Sequence, residues 1–201
     1  MKDEILNFYL QTSIFTNWGP YREYFKSLPD DMNELTSLLL EQTIHRQELI
    51  KSSIRLNQTG KSIDGVASEY PWFGYRSHDD ILLTAPAIMA ELNRLDERGI
   101  FHGREINKKV VITCRYVAVL LASILKAKGI PTRVRSGFAS YFSNNGKFYD
   151  HWIIEYYKES ENRWVIVDPD SDSGENHIDM NRSQFGWIAN IWLDVRGGKI
   201  V

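Results

Sequence analysis

Apolar and polar positions follow helical spacings through the first part of the chain and turn to a period of two only after residue 131. Residues 1–60 read as helical. In "DDMNELTSLLLEQTIHRQELIKSSIRL", Leu35, Leu38, Leu39, Gln42, Leu49 and Ile50 recur at mixed helical spacings. Asp30 or Asp31, following Pro29, is the N-cap candidate, and Glu34 sits near the first turn. This segment is read as packing, with His45 a core or rim histidine. "NQTGKSIDG" reads as a loop. Tyr70, Trp72, Phe73 and Tyr75 then cluster ahead of another helix, which Asp79 or Asp80 would cap and Gly99 would end. Such an aromatic cluster suits a core or the wall of a cleft.

The sharpest pattern is "TCRYVAVLLASILKAKGIP". Val117, Leu120, Leu121, Ile124 and Leu125 recur as on a helix, and Lys126 and Lys128 stand in its last turn, where cations suit the negative end of the dipole. Gly129 is placed for the left-handed position after the helix, and Pro131 prevents continuation. The sole cysteine, Cys114, therefore stands at the start of this helix. Beyond it, "TRVRSGFASYF", "KFYDHWIIEYY" and "RWVIVD" read as three strands, joined by hairpin chemistry at "SNNG" and a turn at "KESEN". "PDSDSGEN" is a loop, and the last stretch, from "HIDMNRSQF" onward, is mixed in pattern. A helical first part followed by a helix and an antiparallel sheet predicts an α+β fold.

Composition adds limits. With 201 residues and 43% hydrophobic content, one sizeable core is expected. The expected organisation is a single domain over 1–201, mainly helical over 1–100, with the core over 105–201. A formal net charge of -2 offers no basic field for nucleic acid. No run reaches the roughly 18 apolar residues of a membrane span. The start, "MKDEILNFYLQTSIF", does not read as a secretory leader, so a cytoplasmic location is expected. One cysteine makes no intrachain disulfide and no structural zinc cluster. "DPDSDSGEN" lacks the order of an EF-hand loop, so no metal or cofactor is expected.

The chemistry gathers around Cys114. A helix N-terminus favours a thiolate and offers amide hydrogens to an oxyanion. A thiol nucleophile also needs a base and a group to orient that base. His151 lies in the second strand, on one face with Ile153, Glu155 and Tyr157. A short turn near Ser160 would bring Asp168 of the next strand opposite or diagonal to His151, on the same face. Taken singly, each residue has a plain alternative: a small buried hydrophobe, a satisfied core histidine, a strand-ending turn residue. Their conjunction, in that order, points to a catalytic set.

Three blocks carry a resemblance. "TCRYVAVLLASILKAKGIPTRVRSGF", "DHWIIEYY" and "RWVIVDPD" resemble the Cys, His and Asp blocks of the transglutaminase-like superfamily, which has a papain-like fold. The resemblance covers Lys109 to Asp170 and looks closest to small bacterial transglutaminase-like proteins. It implies Cys114 as nucleophile, His151 as general base and acid, and Asp168 as the group that orients His151. Ile112 stands where family members often carry glycine, and Lys108 and Lys109 precede the thiol where some papain-like enzymes place a side-chain oxyanion donor. The expected activity is acyl transfer from an amide or ester through a thioester, to water or to an amine. The substrate would be a peptide, a protein or a small amide. Two alternatives stand beside it: a non-catalytic binding module on the same fold, and a zinc site built from Cys114, His151 and Asp168.

Overall fold

The computed structural model describes residues 2–46, 48, 78–142, 148–171 and 177–199. The aromatic cluster at Tyr70–Tyr75, the "NQTGKSIDG" loop and the "SNNG" turn lie outside the described residues. Helices α1 (Lys2–Leu10), α2 (Arg22–Ser27) and α3 (Met32–Gln42) come first, followed by a short strand β1 (Thr43–Ile44). Next come α4 (Ala85–Leu95), a short β2 (Val110–Val111) and α5 (Cys114–Ala127). The chain ends with β3 (Thr132–Ala139), β4 (Tyr149–Lys158), β5 (Arg163–Val167), β6 (Phe185–Trp187) and α6 (Ile188–Arg196). Strands β3 to β6 form one antiparallel sheet in the order β5-β4-β3-β6. The fold is α+β, as the two hydrophobic periods predict.

Helix α5 is the centre of the molecule. Every one of its residues except Arg115 is buried, so it is apolar all round rather than on one stripe. It packs on β3 and β4 on one side and on α2, α3 and α4 on the other. A single core cluster runs from Phe25 through Leu35, Ile88, Leu120 and Leu121 to Ile154 and Val167. Its stop signal is read correctly: Gly129, at φ 82°, donates to Lys126 O, and Ile130 donates to Leu125 O, the paired bonds of a Schellman ending. The two terminal lysines do more than face their own dipole. Lys126 Nζ donates to Tyr9 O and Gln11 O at 2.6 Å each, and Lys128 Nζ donates to Leu28 O and Lys26 O. They thereby supply donors to carbonyls at the ends of α1 and α2.

Two helix starts differ in an instructive way. Asp31 caps α3 by accepting from the Glu34 amide at 2.9 Å, as expected. For α4 the cap is Thr84, not Asp79 or Asp80, and the helix ends at Leu95, ahead of Gly99. Asp79 is used elsewhere: its Oδ1 accepts from Thr113 N at 2.9 Å and lies 3.3 Å from Thr113 Oγ1. Thr113 is the N-cap of α5. His78 Nδ1 accepts from Val111 N at 2.9 Å. The pair His78–Asp79 thus holds the backbone that leads into Cys114.

Strand β4 separates two environments by its alternation. Trp152, Ile154 and Tyr156 face the main core with α5. Ile153 belongs to a second cluster, with Ile166, Met180 and Phe185, on the other side of the sheet. His151 and Glu155 share that second face. Gly137, opposite both His151 and Trp187, lets β6 come close: a Cβ there would meet Gly186 O at 2.3 Å and the Phe185 ring at 2.5 Å. Among the described residues no helix is long and apolar enough to cross a membrane.

Candidate active site

The thiol sits where two backbone features meet. Cys114 is the first residue of α5, and the Arg115 amide at the helix start bonds to its sulfur. The sulfur also accepts from the Trp152 amide. Even-numbered amides of β4 point toward β5, since Tyr157 N points the other way, to Pro131 O. The β4–β5 ladder ends at Ile154↔Val167. The Trp152 amide lies one step beyond on the same side, and Cys114 Sγ lies near it. The nucleophile candidate is thereby docked against the residue that follows His151.

His151 and Asp168 meet as the parity of their strands requires. Extending the β4–β5 register by one step sets Asp168 opposite Ile153, diagonal to His151 and on its face. His151 Nε2 lies 2.8 Å from Asp168 Oδ2, and both side chains are almost wholly buried. The contact is off the N–H direction, so Nε2 has its carboxylate at ion-pair distance without an in-line hydrogen bond. A modest turn of the ring aligns it, as such bonds often tighten only with substrate bound.

The carboxylate is held by more than the imidazole. Tyr141 Oη donates to Asp168 Oδ2 at 2.7 Å, and the Asp170 amide donates to Oδ1 at 3.0 Å. The Asp168 amide itself bonds to His177 O. Tyr141 stacks on His177 with ring centroids 4.4 Å apart, and Phe142 meets His151 edge-on at 4.7 Å. Burial, followed by the Asp168 charge, pushes the Tyr141 phenol far above its usual range, so it stays a donor. Tyr141 and Phe142 close "GFASYF", and the sequence treats them only as strand residues.

The thiol departs from the expectation that a helix start favours its thiolate. Burial pushes Cys114 up to about 12, and the Asp170 and Asp168 carboxylates add to this. The Trp152 and Arg115 amides pull the other way and are outweighed. The resting group is a neutral thiol.

Two further residues stand beside it. A ring nitrogen of His45, Cys114 Sγ and a carboxylate oxygen of Asp170 all lie within 4.8 Å of one another. His45 is therefore a neighbour of the thiol rather than only a packing residue. The cause is the parallel pair β1–β2, with Thr43↔Val110 and Ile44↔Val111, extended by the bond from Ile112 N to Ile44 O. That register carries His45 alongside the residues that lead into Cys114. Among the described residues these are the three ligand-type side chains that converge, in place of the Cys114, His151 and Asp168 set considered for zinc. Arg115 lies over Trp152, Tyr116 and Phe15, with its guanidinium 5.1 Å from the Trp152 ring, so its role is to cover the core edge beside the site. His78 is used in the backbone hold on Val111.

Comparison with known proteins bears on the same segment. Residues 106–169 match the model of the transglutaminase-like superfamily. The periplasmic domain of TgpA from Pseudomonas aeruginosa is similar at 16% identity and a TM-score of 0.36, over 84% of this chain and 48% of that one. A candidate cysteine protease from Cytophaga hutchinsonii is similar at 16% identity and a TM-score of 0.27, over 84% of this chain and 51% of that one. The chain spans about half the length of these solved structures. No curated protein matches the sequence.

Proposed function

From the match of residues 106–169 to the transglutaminase-like superfamily, we propose that the protein is a thiol-dependent acyl-transfer enzyme acting through Cys114, His151 and Asp168. One observation carries the reading: Cys114 Sγ is docked on the Trp152 amide, next to a His151 whose Nε2 faces Asp168 Oδ2 at 2.8 Å. With Nε2 turned to the carboxylate, Nδ1 is the nitrogen that serves the thiol. Because the resting thiol is neutral, His151 acts as a general base during attack rather than as the partner of a preformed thiolate. Sulfur bonds to the acyl carbon as its proton passes to His151. The oxyanion is met by the Cys114 amide at the helix start. Collapse expels the amine or alcohol, protonated by His151, and leaves a thioester. Water then attacks, the proton returns through His151, and carboxylic acid and thiol are released; an amine in place of water gives transamidation. Asp168, steadied by Tyr141, orients the ring and stabilises its cation.

The test is acyl-enzyme trapping. Activated acyl esters and peptide amides are mixed with the protein, and intact mass is followed. The expected result is a single acyl adduct at Cys114, absent in Cys114→Ala and His151→Ala, whose loss in the presence of hydroxylamine gives hydroxamate. A second reading, a non-catalytic binding module, has one observation in its favour: burial alone makes Cys114 a poor nucleophile. It predicts no adduct and a labelling rate with iodoacetamide that is the same in His151→Ala.

A further inference from the structure

Cys114 faces a second imidazole, from an element that His151 and Asp168 do not use, and a second carboxylate two residues beyond Asp168. His45 follows β1, Cys114 opens α5 and Asp170 follows β5. Their ligand atoms lie within 4.8 Å of one another, with Cys114 buried and the other two half-buried. We propose that His45, Cys114 and Asp170 bind a thiophilic divalent cation of the zinc class, and that the bound ion switches the enzyme off by holding the sulfur. The switching half rests on Cys114 being the nucleophile; the binding half does not.

The donor set fits that class of ion. One thiolate, one imidazole and one carboxylate are the three ligand types zinc takes, and a water completes the tetrahedron. Metal–ligand bonds of about 2.0–2.3 Å require ligand atoms roughly 3.5 Å apart. The three atoms therefore need to close by roughly 1.3 Å at most, within the reach of side-chain rotation. Hard cations want oxygen ligands in greater number, so magnesium and calcium do not compete. Binding forms a metal–sulfur bond and releases the thiol proton to solvent; no electron is transferred. The ion withdraws from attack the lone pair that the acyl carbon would receive, so occupancy and catalysis exclude each other.

The experiment uses the full chain stripped with chelator. Cobalt(II) is titrated as a spectroscopic probe, and zinc is then added in competition. The expected result is one site with a sulfur-to-cobalt charge-transfer band that zinc abolishes. Cys114→Ser loses the band. His45→Ala and Asp170→Asn each weaken zinc at least roughly tenfold, while His151→Ala binds as the wild type does. Far-ultraviolet circular dichroism and melting establish that each variant is folded, and Asp170→Asn stands in if His45→Ala is not. In the wild type, equimolar zinc slows iodoacetamide labelling of Cys114 and chelator restores it. Wild-type zinc affinity in both His45→Ala and Asp170→Asn overturns the site, as does an equal loss in His151→Ala or a cobalt spectrum without the sulfur band. A protein that binds zinc through these residues but forms no acyl adduct overturns the catalytic reading alone, and with it the switch.

Discussion

Two carboxylates on one face of the same strand pair are treated in opposite ways. Glu155 is wholly buried and receives Arg133 Nε at 2.8 Å, Arg135 Nε at 2.6 Å and Arg182 Nη1 at 3.0 Å. Burial pushes its carboxyl up, and the Arg135 and Arg133 hydrogen bonds outweigh this and hold it below the usual range. Asp168 is as deeply placed, and its neighbours are an imidazole, a phenol and a backbone amide. A guanidinium keeps its charge at any ordinary pH, so the first carboxylate is locked. An imidazole can take up and hand back a proton during a reaction, so the second is matched to a partner whose charge changes. Fixed compensation makes a structural charge; titratable compensation makes one that can work.

The comparison breaks most clearly at the titratable end. His151→Ala should cut acyl transfer by roughly 10³–10⁴-fold, with Asp168→Asn below the wild type by about 10² or more, and with stability changed far less. Single-turnover acylation measured beside urea unfolding checks this. Stability loss in proportion to activity loss would make the pair structural, like Glu155. The complementary change is Glu155→Ala, which leaves three guanidinium groups without their carboxylate. It should cost about 3–5 kcal/mol of stability, softened because Arg182 is largely exposed, while the acylation rate of the folded fraction holds.

A smaller effect follows from the thiol. The folded state keeps the Cys114 proton up to about 12, whereas an unfolded chain releases it near 8.5. Between those values the unfolded state binds fewer protons, so wild-type stability falls as pH rises, by about 1.4 kcal/mol per unit. Below about 8.5 the contribution is fully present. The difference between wild type and Cys114→Ser in urea unfolding at pH 8, 9 and 10 isolates it, and a flat difference would mean that the thiol ionises in the folded protein. The smallest expected effect is Tyr141→Phe, which removes one hydrogen bond to Asp168 for about 1 kcal/mol. It should lower the acylation rate by about tenfold or less and shift its pH profile.

What could be read in advance was local. Cys114 at a helix start, Gly129 and Pro131 at its end, and the alternation around His151 and Asp168 are each written in a few neighbouring residues, so periodicity and cap chemistry reach them. His45 and Asp79 were not readable in their real places. Each acts across a long stretch of chain, through a two-residue parallel pair in one case and a side-chain bond to a distant N-cap in the other. Neither leaves a repeating pattern. The thiol's protonation is not legible for a related reason: the helix start is a local feature, whereas burial by the whole core and two acidic neighbours is not. Asp170 was in view inside "VDPD", but nothing in that string says which way the chain turns after Pro169.

The two lysines at the end of α5 have a mechanical consequence. Helix α1 contains no buried residue and is held by contacts at its surface: Lys126 Nζ grips Tyr9 O and Gln11 O, the Tyr9 ring meets Trp164 and Arg133, and Lys2 bonds to Asn162. Under gentle heating or dilute denaturant, residues 2–11 should therefore come away ahead of the core, while the helix that carries the thiol stays protected from solvent exchange.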